Sequence, residues 1–135
     1  MKKLFIFSTI ATFFFGCCAQ KNTKPQTEVS NSLFDKNWKL VELNGKVVET
    51  EAFMSLNSVD NRVSGNLGCN NFSGTFEING NLMKFSQMVA TRKMCLSSME
   101  IEDGFDTAMN NTDYFEIKNG TLLLKQGKKT LAVLE

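Results

Sequence analysis

Three Asn-Gly dipeptides, at Asn44-Gly45, Asn79-Gly80 and Asn119-Gly120, punctuate this chain between short apolar runs. Such a pair supplies residues that tolerate positive φ in a tight turn, so each one signals two antiparallel strands joined directly. The flanking runs agree. Trp38–Leu43 reads as a strand stopped by Asn44-Gly45. Val47 and Val48 then lead through Glu49–Glu51 to a second strand, Phe53–Leu56, and Asp60-Asn61 turns the chain into Arg62–Leu67. Phe72, Gly74, Phe76 and Ile78 alternate with Ser73, Thr75 and Glu77, the period-two pattern of a half-buried strand. Leu82–Phe85, Tyr114–Ile117, Thr121–Lys125 and Thr130–Leu134, the last two separated by Gln126-Gly127, bring the expected count to about eight.

One helix interrupts the series, over about 97–111. Ser97 followed by Glu100 has capping-box spacing. Glu100, Glu102 and Asp103 put negative charge in the first turns, where the helix dipole favours it. Ile101, Phe105, Ala108 and Met109 fall on one face, Asn110-Asn111 is a plausible stop, and Gly104 costs the helix about 1 kcal/mol against alanine. A short, one-sided helix needs a sheet to pack on. The expected fold class is therefore α+β and mainly β, an antiparallel sheet curled as an open barrel around one helix.

Composition narrows the chemistry. With 135 residues the chain holds one domain at most. The net charge is +1, and setting aside Lys2 and Lys3 of the leader leaves about −1, so no electrostatic footprint for nucleic acid remains. Histidine is absent, which removes the usual acid–base group near neutral pH and the commonest zinc ligand. Asp60, Glu100 and Asp103 are candidate carboxylates, but nothing in the sequence pairs them, and a solvated surface or a helix cap explains each. No catalytic residue, metal site or cofactor is expected.

Met1-Lys-Lys precedes an apolar run from Leu4 to Phe15 and then Gly16-Cys17. A basic start and a short apolar stretch make a signal peptide, since twelve residues are too few to span a bilayer. The break at Gly-Cys resembles a bacterial lipoprotein signal, cut before a cysteine whose thiol carries diacylglycerol. Phe14 and Phe15 depart from the usual Leu and small residue of that motif. Residues 1–16 are thus expected to be a lipoprotein signal peptide and Cys17 the lipid-attachment (palmitate-bearing) residue. Cys18 is a poorer candidate, and an ordinary signal peptide cut near Ala19 is the alternative. The polar segment that follows, with the only proline at Pro25, reads as a flexible tether over 17–33, ahead of a folded domain over 34–135.

Two cysteines fall in that domain, Cys69 and Cys95. In a secreted chain they invite a disulfide; a pair of buried inert thiols is the main alternative. A catalytic thiol lacks a histidine base, two cysteines are a poor start for a metal, and the spacing is not Cys-x-x-Cys.

Trp38-Lys-Leu, Val63-Ser-Gly65, Gly68-Cys69-Asn70, Phe72-Ser-Gly74, Ala90-Thr91 and Met94-Cys95 together resemble the META/HslJ-like domain of bacterial envelope lipoproteins. The acidic helix centred on Phe105, Tyr114 and Leu122-Leu-Leu124 extend the resemblance over about 34–135. It implies a β-rich fold with a packed helix and no established reaction. META domains are also similar in fold to a pilotin of secretion systems, which binds lipid and assists secretin assembly. For the motif residues the physical expectations are structural. Gly65, Gly68 and Gly74 suit bulges, positive φ or close backbone approach. Asn70 suits a turn, and Thr91 and Met94 are expected to pack and cap near the helix start.

The functional expectation is a non-enzymatic, lipid-anchored protein of the bacterial envelope, placed in the outer membrane and facing the periplasm. It would act as a binding or accessory module in stress tolerance or in envelope or secretion assembly. Its partners would be the membrane, through the N-terminal lipid, and an envelope protein; the chain itself is expected to be a monomer. The alternative is a barrel holding an acyl chain or small apolar ligand, lined by Phe53, Phe72, Phe76, Met83 and Phe85.

Overall fold

The computed structural model describes residues 32–135. The expected signal peptide, Cys17 and the tether as far as residue 31 lie outside the described residues. Nine strands and one helix follow in the order β1 (Asn37–Leu43), β2 (Lys46–Val47), β3 (Phe53–Asn57), β4 (Arg62–Asn66), β5 (Asn71–Asn79), β6 (Leu82–Ala90), α1 (Met99–Asn111), β7 (Tyr114–Lys118), β8 (Thr121–Gln126) and β9 (Lys129–Leu134). The strand beyond the expected eight is β2, two residues that fold back on β1 with Leu43 opposite Lys46. Asn44 and Gly45 between them have φ of 49° and 81°, as a two-residue hairpin turn requires. Asn119 and Gly120 repeat this geometry at 54° and 80°. At the third dipeptide Asn79 instead pairs with Leu82, so the turn slips by one residue to Gly80-Asn81 and only Gly80 has positive φ.

All neighbours in the sheet are antiparallel, in the order β2-β1-β3-β4-β5-β6-β7-β8-β9, and β9 pairs again with β1. That last pairing closes the ring of hydrogen bonds, covering edges of β1 and β9 that an open sheet would present, while β6 keeps an unpaired edge beyond Leu82. The ring is not a regular barrel. Its weak joint is β6–β7, where Leu82 opposite Tyr114 is the single ladder pair. The helix α1 packs against β6, β1, β8 and β9.

The interior is filled. Trp38 and Phe105 are fully buried with Leu40, Met54, Leu56, Val63, Met83 and Met109. Phe72 meets Phe105 edge-on, with ring centroids 6.3 Å apart. Leu33 is already part of this core, and its carbonyl accepts the Trp38 Nε1 hydrogen bond at 2.8 Å. Gly104, which weakens the helix in isolation, lets it approach β1: a Cβ there would stand 2.6 Å from Leu43 Cδ2. The apolar face of α1 buries Phe105, Ala108 and Met109. Ile101 is partly buried beside them.

The expected capping box is corrected. The helix begins at Met99 with Ser98 at the N-cap, and no side chain caps it. Ser98 Oγ donates instead to Glu102 Oε1 at 3.0 Å, one turn along. Ser98 N also donates to Cys95 O at 3.0 Å, so the turn after Cys95 shifts the helix start past Ser97.

Candidate functional site

The Arg62–Gly74 stretch folds as β4, a tight turn over 67–70, and the start of β5. Asn66 organises the turn: its Oδ1 accepts from Gly68 N at 2.7 Å and its Nδ2 donates to Asn71 Oδ1 at 2.8 Å. Gly68 has φ +131°, a conformation that side chains disfavour. Gly65 is required for space instead, because a Cβ there would run into Phe53 O and lie 2.9 Å from Met54 Cα on the paired strand. Gly74 sits opposite a bulge in β6: Ser73 pairs with Val89 but Thr75 with Ser86, and Gln87 takes φ 53°. Met88 Sδ fills the space a Gly74 side chain would need.

A disulfide joins Cys69 to Cys95, with Cα atoms 6.4 Å apart. Beside it Asn70, buried to 5% exposure, is the hub of a polar network that the sequence reading assigned only to a local turn. Asn70 Oδ1 accepts from Lys93 N at 2.7 Å and Thr91 Oγ1 at 2.9 Å. Asn70 Nδ2 donates to Lys93 O at 3.1 Å and to Glu102 Oε2 at 2.7 Å, and Asn70 N donates to Glu102 Oε1 at 3.2 Å. Thr91 Oγ1 in turn accepts from Asn71 N at 3.1 Å. The 91–95 segment is therefore held to the 67–70 turn twice, by the network and by the disulfide.

Glu102 is the residue missed by the sequence analysis. It is 8% exposed, on the same side of the helix as Ser98, Phe105 and Met109. That spacing was the available signal: a carboxylate among positions i+4, i+7 and i+11 from a serine cannot face solvent with the charged flank. Burial alone would raise its pKa. Hydrogen bonds from the Asn70 side chain, Ser98 and the backbone of Asn70 and Cys69 outweigh that and hold the carboxyl below its ordinary value. Asp106, one turn further on, is pushed up by burial and by the nearby charge of Asp103, against a hydrogen bond from Asn110. Asp60, Glu100 and Asp103 are exposed. Among the described residues no group of three or more His, Cys, Asp or Glu side chains is placed to hold a metal ion.

The packing expected of Met94 is corrected. Thr91 joins the network, but Met94 is 87% exposed, because Asn70 holds Lys93 and the disulfide holds Cys95 on either side of it. Leu96 is 81% exposed and Val89 65%. Val89, Met94 and Met99 border one groove of about 650 Å³ between the end of β6 and α1. Leu67 and Asn70 reach its floor, Asp103 and Asp106 line the helix wall, and Arg92 and Lys93 stand on the strand side. Phe72, Phe76, Met83 and Phe85 are buried in the core and Phe53 is half-buried, so the residues offered as an acyl-chain lining are themselves the filling of the sheet.

A family model described as the META domain matches residues 31–135. The chain belongs to the META domain family. Solved structures agree on the fold. An NMR structure of a protein has a TM-score of 0.62 at 22% identity, over 77% of this chain and 92% of that one. An NMR structure of a protein from Burkholderia xenovorans has a TM-score of 0.54 at 18% identity, over 99% and 97%. The crystal structure of a DUF4847 family protein from Bacteroides vulgatus has a TM-score of 0.59 at 17% identity, over 78% and 95%. Among curated proteins none matches the chain.

Proposed function

We propose that this META domain protein is a non-catalytic binding module, anchored through lipidated Cys17 in the bacterial outer membrane and facing the periplasm. There it would dock an envelope protein, in stress tolerance or in the assembly of envelope or secretion complexes. The observation that carries the reading is the exposed apolar rim of Val89, Met94 and Met99 around one groove. Large apolar side chains grouped in this way mark interaction surfaces, whereas isolated ones do not. The rim is also preorganised by a disulfide and a saturated polar network, which lowers the entropy lost on binding. A catalytic role for Glu102 is disfavoured by its chemistry: both carboxylate oxygens already accept hydrogen bonds, and its pKa is moved away from the range of a general acid. An acyl chain within the sheet would have to displace the packed aromatic core.

Two measurements test the parts separately. Cys17→Ser should move the protein from the membrane fraction to the soluble fraction, and retention in the membrane removes the lipid anchor from the proposal. A photo-crosslinking residue at Met94, activated in the native envelope, should give a discrete adduct that the same residue at Val59 does not. Val59 is 92% exposed and outside the groove, so equal labelling at both sites would rule out a docking surface at the rim.

A further inference from the structure

Beyond Leu82, β6 has a strand partner on one side only. Thr91 N donates to Asn71 O at 2.9 Å on the β5 side, so by antiparallel alternation the main-chain groups of Ala90, which borders the groove, point away from β5. They are an unused edge at the mouth of the groove. The residues around that edge have the character of a peptide site. Met94 and Met99 are exposed thioethers, able to repack around varied apolar side chains, and Val89 stands next to Ala90. On the helix wall, Asp103 and Asp106 are spaced one turn apart, and neither takes part in an ion pair among the described residues. Their mutual repulsion is relieved by a single cation placed between them. Arg92 and Lys93 on the opposite side make a broadly basic ligand unfavourable, so the charge pattern selects one cation among apolar residues.

We infer that the groove receives an extended segment of a partner protein, which adds as a short strand along Ala90. Apolar side chains of the segment meet Val89, Met94 and Met99, and one Lys or Arg reaches Asp103 and Asp106. Main-chain hydrogen bonds give this mode its affinity, and the side-chain pockets give it specificity. The inference rests on the docking function proposed above and names the chemistry of the partner.

The test uses the full chain in detergent micelles and three capped probe peptides: Thr-Val-Lys-Val-Thr-Val, the same peptide with Glu for Lys, and the same with Pro for the second Val. The lysine peptide should shift the NMR signals of Val89, Ala90 and Met94 and slow amide exchange at Ala90. The glutamate and proline peptides should bind roughly tenfold more weakly or not at all. Asp103→Asn with Asp106→Asn should lower affinity for the lysine peptide by a similar factor while leaving the fold unchanged, since Asp103 is exposed and an asparagine at 106 keeps an oxygen to accept from Asn110 Nδ2. Equal binding of all three peptides without protection of Ala90 would reduce the groove to an adhesive apolar rim and overturn the inference. Absence of any peptide binding would overturn it as well. If the Met94 crosslink still forms in the envelope in either case, the docking function stands and only the strand mode falls; if it does not, both fall.

Discussion

Replacing Glu102 by Gln changes one atom and should expose how the two halves of the site are held together. In the native protein Glu102 Oε1 accepts from Asn70 N at 3.2 Å and Ser98 Oγ at 3.0 Å, while Oε2 accepts from Asn70 Nδ2 at 2.7 Å. Glutamine offers one oxygen and one NH2 group, so whichever way it turns, a donor faces a donor. Asn70 cannot flip to compensate, because its Oδ1 already accepts from Thr91 and from Lys93 N. A hydrogen bond to a charged group contributes about 1.5–3 kcal/mol, and a stranded buried donor costs a similar amount, so the expected loss is about 2 kcal/mol. For a folded part of this size that lowers the Tm by roughly 8–10 °C.

The pH dependence gives a second reading of the same residue. Glu102 has its carboxyl pKa held below the ordinary 4.5 in the folded protein, so the unfolded chain binds the proton more readily. Its contribution to stability is present above pH 4.5 and is lost as the pH falls through the lower folded value. Urea unfolding of wild type and Glu102→Gln, followed by Trp38 fluorescence from pH 7 to pH 2.5, should show two curves that converge at the acid end. A variant within about 0.5 kcal/mol of wild type at pH 7 would refute the argument, as would a constant gap between the curves.

Two further substitutions probe the scaffold. Gly65→Ala should cost about 3 kcal/mol, because its methyl would run into the Phe53 carbonyl of a paired strand and backbone cannot swing aside as a side chain can; a normal melting curve would show that β3 and β4 separate freely. Replacing both Cys69 and Cys95 by Ser should lower stability by roughly 3.5 kcal/mol, from the loop entropy of a 26-residue separation, with the Asn70 network keeping the native NMR shifts of Thr91 and Lys93. Loss of those shifts would mean that the network depends on the disulfide.

The strands were legible because their signals are local. Asn44-Gly45 and Asn119-Gly120 turn where the dipeptides stand, and the alternation from Phe72 to Ile78 matches which residues face the core. Boundaries were less so. The helix start moved from Ser97 to Met99 because Ser98 is bonded to Cys95 and Glu102, which no capping pattern encodes. The slip of one residue at Gly80-Asn81 has a similar character, since both registers satisfy the dipeptide and the paired strands choose between them. Gly104 was legible as a weakness of the helix; its reason, the approach to Leu43, was not.

By itself, then, the sequence determined the class of fold, the family, and the identity of the two cysteines and the Asn70 motif as a signature. Turn chemistry and side-chain periodicity act over a few residues and can be read in one dimension. The tertiary structure alone decided that β9 closes onto β1, that Glu102 is buried against a turn 32 residues away, and that Met94 faces solvent. Each of these depends on which distant backbone and side-chain groups find each other once water is excluded; helix spacing marks Glu102 as facing inward, but no spacing along the chain names Asn70 as its partner.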